Sequence, residues 1–311
     1  MGSRPAEPPP LTKKSPAKAV VQARIVAQVL EIHRLDPLVR RNAADAVHQM
    51  RVASRRLRSA LATFRPVLDR EVTDPLRDEL RWLGRTLGDA RDAEVMRERM
   101  RDLVEAQPAE VLRGGAPQRI DAELAARYDE AHSKAMAAMD SQRYVDLLER
   151  LDALAARPPW TAAADKRAVR VLPEHVRRDW KRLVRRQRAA VATSDPAERA
   201  VRLHETRKAA KRVRYAAESM VPLYGKDARR LVKGTKQVQS LLGEHQDSVV
   251  TRQWLIDLAD KAAAEGDDSF TLGVLHAREE QIAETAEARL EKTWRTAAKK
   301  KRRRWLSQTS D

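Results

Sequence analysis

The sequence predicts an all-α protein whose second half repeats its first. Composition is the first reason: Ala, Leu, Arg and Glu dominate, aromatic residues are 4% of the chain, and only 10 of 311 residues are glycine. Such a composition favours helix over strand. The second reason is that apolar residues recur at helical spacing almost without interruption, and no alternating run bounded by turn signals offers a strand. The third is a set of His, Arg, Lys, Gly and Asp positions that returns in the same order in the second half. Its period is too long for a short-repeat solenoid and suits a duplicated helical bundle.

Residues 1–16 carry Pro5, Pro8, Pro9, Pro10 and Pro16 among small polar residues and read as a disordered tail. The first unit, 17–157, is expected to hold helices over 17–34, 43–66, 71–87, 89–106, 118–139 and 142–156. Asn42 with Asp45 gives the second of these a weak start signal. Gly88 separates the third from the fourth as a tight helix–helix corner, with Asp92 paired to a basic side chain. Arg157-Pro158-Pro159 breaks the pattern and reads as a linker. The second unit, 158–298, follows with helices over 166–192, 196–223, 226–242, 244–264 and 269–304, the last running into a basic C-terminal tail at 299–311. Asp195 is an N-cap, Pro196 suits the first helical position and Glu198 completes a capping box. Gly225 stands where a glycine would end that helix, and Gly243 with Asp247 repeats Gly88 with Asp92. Trp82, Trp160, Trp180, Trp254, Trp294 and Trp305 are scattered and read as core or interhelical packing.

Charge narrows the function. Sixty-two Lys and Arg against 45 Asp and Glu give a formal charge of +17. The first 157 residues hold 28 basic and 24 acidic side chains, a net of +4, which leaves +13 for the rest. Such a field gathers anions: nucleic acid, an anionic membrane surface or polyphosphate. Cysteine is absent, so there is no disulfide framework, thiolate metal site or Cys nucleophile, which fits a reducing, cytoplasmic compartment. No apolar signal region opens the chain and no stretch approaches 18 apolar residues, so neither a secretion signal nor a membrane span is expected.

The repeat places the charge. Val47-His48-Gln49-Met50-Arg51 matches Leu203-His204-Glu205-Thr206-Arg207, and Arg55-Arg56-Leu57-Arg58 matches Lys211-Arg212-Val213-Arg214. Pro66 matches Pro222, Leu87-Gly88-Asp89 matches Leu242-Gly243-Glu244, and Arg81 falls opposite Lys236. At about 100° per residue, His48, Arg51, Arg55 and Arg58 occupy about 80° of one helix face. Met50, Ala53, Leu57, Ala60, Leu61 and Phe64 lie opposite. The second copy sets His204, Arg207, Lys211 and Arg214 against Ala209, Val213, Ala216, Ala217 and Met220. Arg56 and Arg212 flank the stripes, and Lys208 widens the second.

His-x-x-Arg, then Arg/Lys-Arg-x-Arg, then a downstream Leu-Gly-x-x-x-Asp, twice in one chain, resembles the CHAD domain (conserved histidine α-helical domain) over roughly residues 20–295. The resemblance implies two four-helix bundles related by pseudo-two-fold symmetry, with a basic groove or pore between them that binds inorganic polyphosphate. In bacteria it implies association with polyphosphate granules. The positions carried over are His48, Arg51, Arg55, Arg56 and Arg58, then His204, Arg207, Lys211, Arg212 and Arg214. Arg81, Lys208 and Lys236 are plausible extensions of the surface. Val52 stands where the second copy has Lys208, so the first copy is expected to grip more weakly. CHAD domains are often fused to a tunnel-shaped triphosphatase. No β-rich segment and no Glu-x-Glu-x-Lys motif occur here, so the likeness is to a stand-alone form and no hydrolase activity carries over.

The ordinary reading of a basic stripe is a solvated face; duplication and net charge argue for a ligand. Guanidinium groups meet phosphate oxygens through paired charge-assisted hydrogen bonds. His48 and His204 admit three roles: a neutral imidazole ordering the neighbouring arginine, an imidazolium on phosphate, or phosphohistidine or metal chemistry. Arg177, Arg178, Lys181, Arg182, Arg185, Arg186 and Arg188 form a second basic helix, and Lys299 to Arg304 a terminal basic run; both read as solvated or as supplementary contacts. A nucleic-acid binder is the competing reading. Against it, only Tyr215 lies within either motif helix to stack a base, although charge alone predicts nonspecific nucleic-acid binding. An enzyme acting on polyphosphate would need a phosphate-cradling Gly-rich loop or clustered carboxylates on the basic face, and the sequence has neither. No cofactor or metal is expected, and oligomeric state is not legible.

Overall fold

The computed structural model describes residues 10–307. Nine α-helices account for nearly all of it: α1 (Ala17–Arg40), α2 (Ala46–Thr63), α3 (Arg70–Glu105), α4 (Ala116–Met139), α5 (Gln142–Ala156), α6 (Ala168–Ala192), α7 (Pro196–Ser219), α8 (Val221–Ala264) and α9 (Phe270–Ala297). Two isolated bridges, Pro16 with Arg167 and Leu68 with Trp160, are the only β pairings among the described residues. No described helix is long and apolar enough to cross a membrane.

The amphipathic stripes fold as their spacing requires. Met50, Ala53, Leu57, Ala60, Leu61 and Phe64 on one side, and Ala209, Val213, Ala216, Ala217 and Met220 on the other, are all buried. Each large aliphatic or aromatic side chain so buried contributes about 1.5–3 kcal/mol. Asp195 caps α7, accepting from the Glu198 backbone N–H at 2.7 Å. Asp69 caps α3 in the same way through Glu71. Asp45 precedes α2 in a left-handed conformation (φ 61°) and caps no backbone group; its carboxylate instead accepts from the Gln49 side chain at 3.0 Å.

Helix order repeats between the halves. Consecutive helices pack side by side as α1–α2–α3–α4 and again as α6–α7–α8–α9, and α2 meets α7 across the halves. The buried apolar side chains do not divide at residue 157. The larger core joins α1, α2, α5, α6, α7 and the first parts of α3 and α8. A smaller one unites Met96, Met100, Ile120 and Leu124 with Leu255, Leu258, Leu272 and Leu275, the far ends of α3, α4, α8 and α9.

Several boundaries differ from expectation. The breaks placed at Gly88 and Gly243 do not exist: α3 and α8 run through both glycines. The real interruption in α8 is at Gly225, with φ 48° and ψ −120°, a conformation that suits a residue without Cβ. The final helix stops at Ala297, short of the expected residue 304, and the chain turns back in two 3-10 turns. There Trp305 and Leu306 are buried, Trp305 packs on Tyr224, and Arg302 donates to the Arg230 carbonyl at 2.8 Å. The basic run at 299–304 therefore leads into a packed segment. The expected tail over 1–16 is likewise anchored at its end: Ala17 N–H donates to the Lys166 carbonyl and Ala168 N–H to that of Ser15. Residues 1–9 and 308–311 lie outside the described residues. The Pro158-Pro159 linker is pinned as well, since the Pro159 carbonyl accepts from Asp69 N–H at 2.7 Å.

Candidate polyanion site

The two motif helices bring their basic stripes together where α2 and α7 meet. Arg51 Nη1 donates to the Gly88 carbonyl and to Asp92 Oδ1, both at 3.0 Å. In the second copy Arg207 lies against Gly243, with Asp247 Oδ1 at 3.9 Å from its Nη2. The glycines serve this approach rather than a corner. A Cβ on Gly88 would stand 3.2 Å from Arg51 Nη2, and one on Gly243 3.4 Å from Arg207 Nε. The repeat is thus a repeat of contacts: each motif arginine crosses to the next long helix, packs over its glycine and faces the aspartate one turn on.

Lys211 sits among these groups. Its ammonium is pushed down to about 7, first by burial and then by Arg207, Arg55 and Arg51, with Asp247 pulling the other way. Among the described residues it has no acidic partner within ion-pair distance. Arg55, opposite it on α2, has a buried Nε with no hydrogen-bond acceptor. Asp247 is raised above the ordinary carboxylate value by burial, against the pull of Arg207, Arg99 and Lys211. Among the described residues no acid pairs with Arg58. Burial lowers its pKa, and Arg81, Arg55, Arg77 and Arg85 lower it further.

The histidines lie at the start of each stripe. Burial pushes His48 below its ordinary value, Arg91, Arg55 and Arg51 add to that, and Asp45 opposes them. Burial does the same to His204, helped by Lys208 and Arg207 and opposed by Gln246 and Glu205. In both copies, then, burial and the neighbouring cations disfavour the charged imidazole.

Other motif residues are already engaged. Arg56 approaches Glu218 Oε2 at 3.2 Å, and Arg24 from α1 approaches the same oxygen at 3.0 Å. Arg214 lies 3.6 Å from Glu218 Oε1 and stacks over Tyr215. Arg212 pairs with buried Asp179 at 2.7 Å and donates to the Ala62 carbonyl at 3.0 Å, tying α7 to α6 and α2. Lys208 pairs with Glu205, so Val52 in the first copy replaces a lysine that is already neutralised. Arg81 pairs with Asp78 at 2.9 Å yet remains beside Arg58. Lys236 is exposed. It lines a cleft of about 520 Å³ between α8 and α9 with Ser240, Glu244 and Lys292. On the second basic helix, Arg177 and Arg178 share Glu174, and Trp180 stacks on Trp294.

Sequence reasoning missed Arg77 and Arg85. With Arg81 they recur every fourth residue, which places all three on one stripe of α3, a signal present in the sequence. It also missed Glu218 and Asp179, whose partners lie far along the chain and leave no local trace.

The CHAD domain family model matches residues 23–256. Two uncharacterized Mycobacterium tuberculosis proteins, MT2285 and Rv2226, are each 36% identical over 279 residues. The chain spans about half the length of these curated relatives: 89% of this chain aligns with 52% of theirs. The CHAD domain of the plant Ricinus communis superposes with a TM-score of 0.68 at 28% identity, covering 94% of this chain and 97% of that one. PptA from Streptomyces chartreusis gives a TM-score of 0.73 at 23% identity, over 90% of this chain and 100% of that one, a likeness of fold.

Proposed function

Since the chain belongs to the CHAD domain family, we propose that it binds inorganic polyphosphate without transforming it, along the basic cluster where α2 and α7 meet. The observation that carries this is the excess of positive charge at that junction. Lys211, Arg55 and Arg58 are held partly buried among other cations, with Arg51 and Arg207 beside them. Burying a cation without a counter-charge costs free energy. A chain of phosphates supplies the missing charge at several positions at once, and each guanidinium offers it a paired donor fork. At the level of the cell, the same binding would bring the protein to polyphosphate granules.

The test is a competition titration. Labelled long-chain polyphosphate is bound to the purified protein, then challenged with single-stranded DNA, RNA, duplex DNA and heparin over a salt series. Arg55→Ala/Lys211→Ala is run alongside. Polyphosphate should win at physiological salt, its log affinity should fall linearly with log salt concentration, and the double substitution should weaken it at least tenfold. Equal or better binding of a nucleic acid would make the cluster a general basic surface and overturn the proposal.

A further inference from the structure

The two motif stripes match in sequence but not in electrostatics. In the second half Arg214 faces Glu218 and Tyr215. Its counterpart Arg58 pairs with no acid among the described residues, and the charges that act on it most are Arg81, Arg77 and Arg85 from α3 and Arg55 on its own helix. Their spacing of four residues sets those three on one stripe of α3, the helix packed beside α2. The matching positions of α8 are Val232, Lys236 and Ser240, and Lys236 looks instead into the α8–α9 cleft. Carboxylates do reach the edge of the arginine cluster. Asp74 pairs with Arg77 and Arg65, and Asp78 with Arg81. Two acids thus serve three guanidiniums there, and Arg55, Arg58 and Arg85 are left without one among the described residues.

We infer that the polyanion site is lopsided: Arg55, Arg58, Arg77, Arg81 and Arg85 form an anchoring site in the first half that takes a compact inorganic oligophosphate by itself. Long polyphosphate is gripped there first and then laid across the α2–α7 junction. This deepens the polyphosphate reading and rests on it. Two observations carry it: the arginine stripe on α3 has no equivalent on α8, and Arg214 shares Glu218 with Arg24 and Arg56 whereas Arg58 pairs with no acid among the described residues. A short oligophosphate fits because its charge is dense. Its terminal and bridging oxygens can meet several guanidinium forks within one turn or two of helix, where a nucleic acid spreads one charge per phosphate along a longer backbone.

Tripolyphosphate is the probe, titrated calorimetrically into the full chain at fixed salt. Wild type should bind it. Arg58→Gln should weaken binding about 30-fold, as loss of a charge-assisted paired contact predicts, and Arg214→Gln by less than threefold. Arg81→Gln/Arg85→Gln, whose side chains are exposed and place the fold at little risk, should weaken it by a similar factor to Arg58→Gln. The same double variant should lower the salt slope for long polyphosphate by close to two. Equal losses from Arg58→Gln and Arg214→Gln, or tripolyphosphate binding indifferent to the α3 arginines, would overturn the lopsided site while leaving long-chain binding intact. Failure of long polyphosphate to bind wild type would instead remove the reading beneath it.

Discussion

Lys211 is the residue through which proton and phosphate binding should be linked. Its folded value of about 7 lies below the ordinary lysine value of 10.5, so between those limits the unfolded chain holds a proton that the folded chain lacks. Stability contributed at this site therefore rises as pH increases from about 7 to about 10.5, and the cost of charging Lys211 is fully present below about 7. Lys211→Met should stabilise the protein more at pH 6 than at pH 9.5, as read by denaturant midpoints at the two pH values. A bound phosphate reverses the balance, because an anion beside the ammonium restores its proton. At pH 8.5, polyphosphate binding should take up about one proton per Lys211, seen as a dependence of the calorimetric enthalpy on the ionisation enthalpy of the buffer. Binding without proton uptake, or uptake that survives Lys211→Met, would place this lysine off the ligand.

At the scale of the element, the motif is a device for laying one helix's arginine across the next helix's backbone. Gly88 and Gly243 make the room, and the test separates that role from a backbone one. Gly88→Ala relieves the glycine penalty in a helix interior, about 0.5–1 kcal/mol, while its Cβ crowds the Arg51 guanidinium. Stability should hold or rise by up to about 1 kcal/mol in urea titrations as polyphosphate affinity falls severalfold; unchanged affinity would refute the positioning role. This is also where sequence reading reached its limit. The buried faces of α2 and α7 were legible to the residue because a 3.6 period fixes them: Leu57 and Val213 are both fully buried. A glycine inside a helix and one at a corner look alike in sequence, so α3 and α8 were each divided where they are continuous. Of the stripe residues, those whose charges remain free were legible from periodicity alone. That Arg212 would be drawn to Asp179 and Arg214 to Glu218 depends on how α6 and α7 pack, which no local pattern encodes. The α3 stripe of Arg77, Arg81 and Arg85 was visible as spacing, but its direction toward Arg58 is set by the α2–α3 contact.

For the whole molecule, the two halves share buried cores at their far ends as well as at the centre. Arg99 on α3 donates through Nε and Nη2 to both oxygens of Glu279 on α9, at 2.6 and 2.5 Å. Glu279 is 0% exposed and also accepts from Ser248 Oγ. Around it Arg119 pairs with Glu265 and Asp267, and Thr271 Oγ1 donates to the Val111 carbonyl, so the α3–α4 end of one half is fastened to the α8–α9 end of the other. A buried pair of this kind is costly to break from one side, because the surviving charge has no water to turn to. Arg99→Ala should destabilise the protein by about 3–5 kcal/mol in denaturant titrations, whereas Arg99→Met/Glu279→Leu, which removes both charges, should recover most of that loss. The shape of the transition carries the argument further. If the cores are one cooperative unit, Arg99→Ala shifts a single transition to lower denaturant with its slope unchanged. If the far ends open independently of the α2–α7 junction, the same substitution splits the curve in two, and the basic cluster would keep its polyphosphate after the α3–α9 contact had been lost.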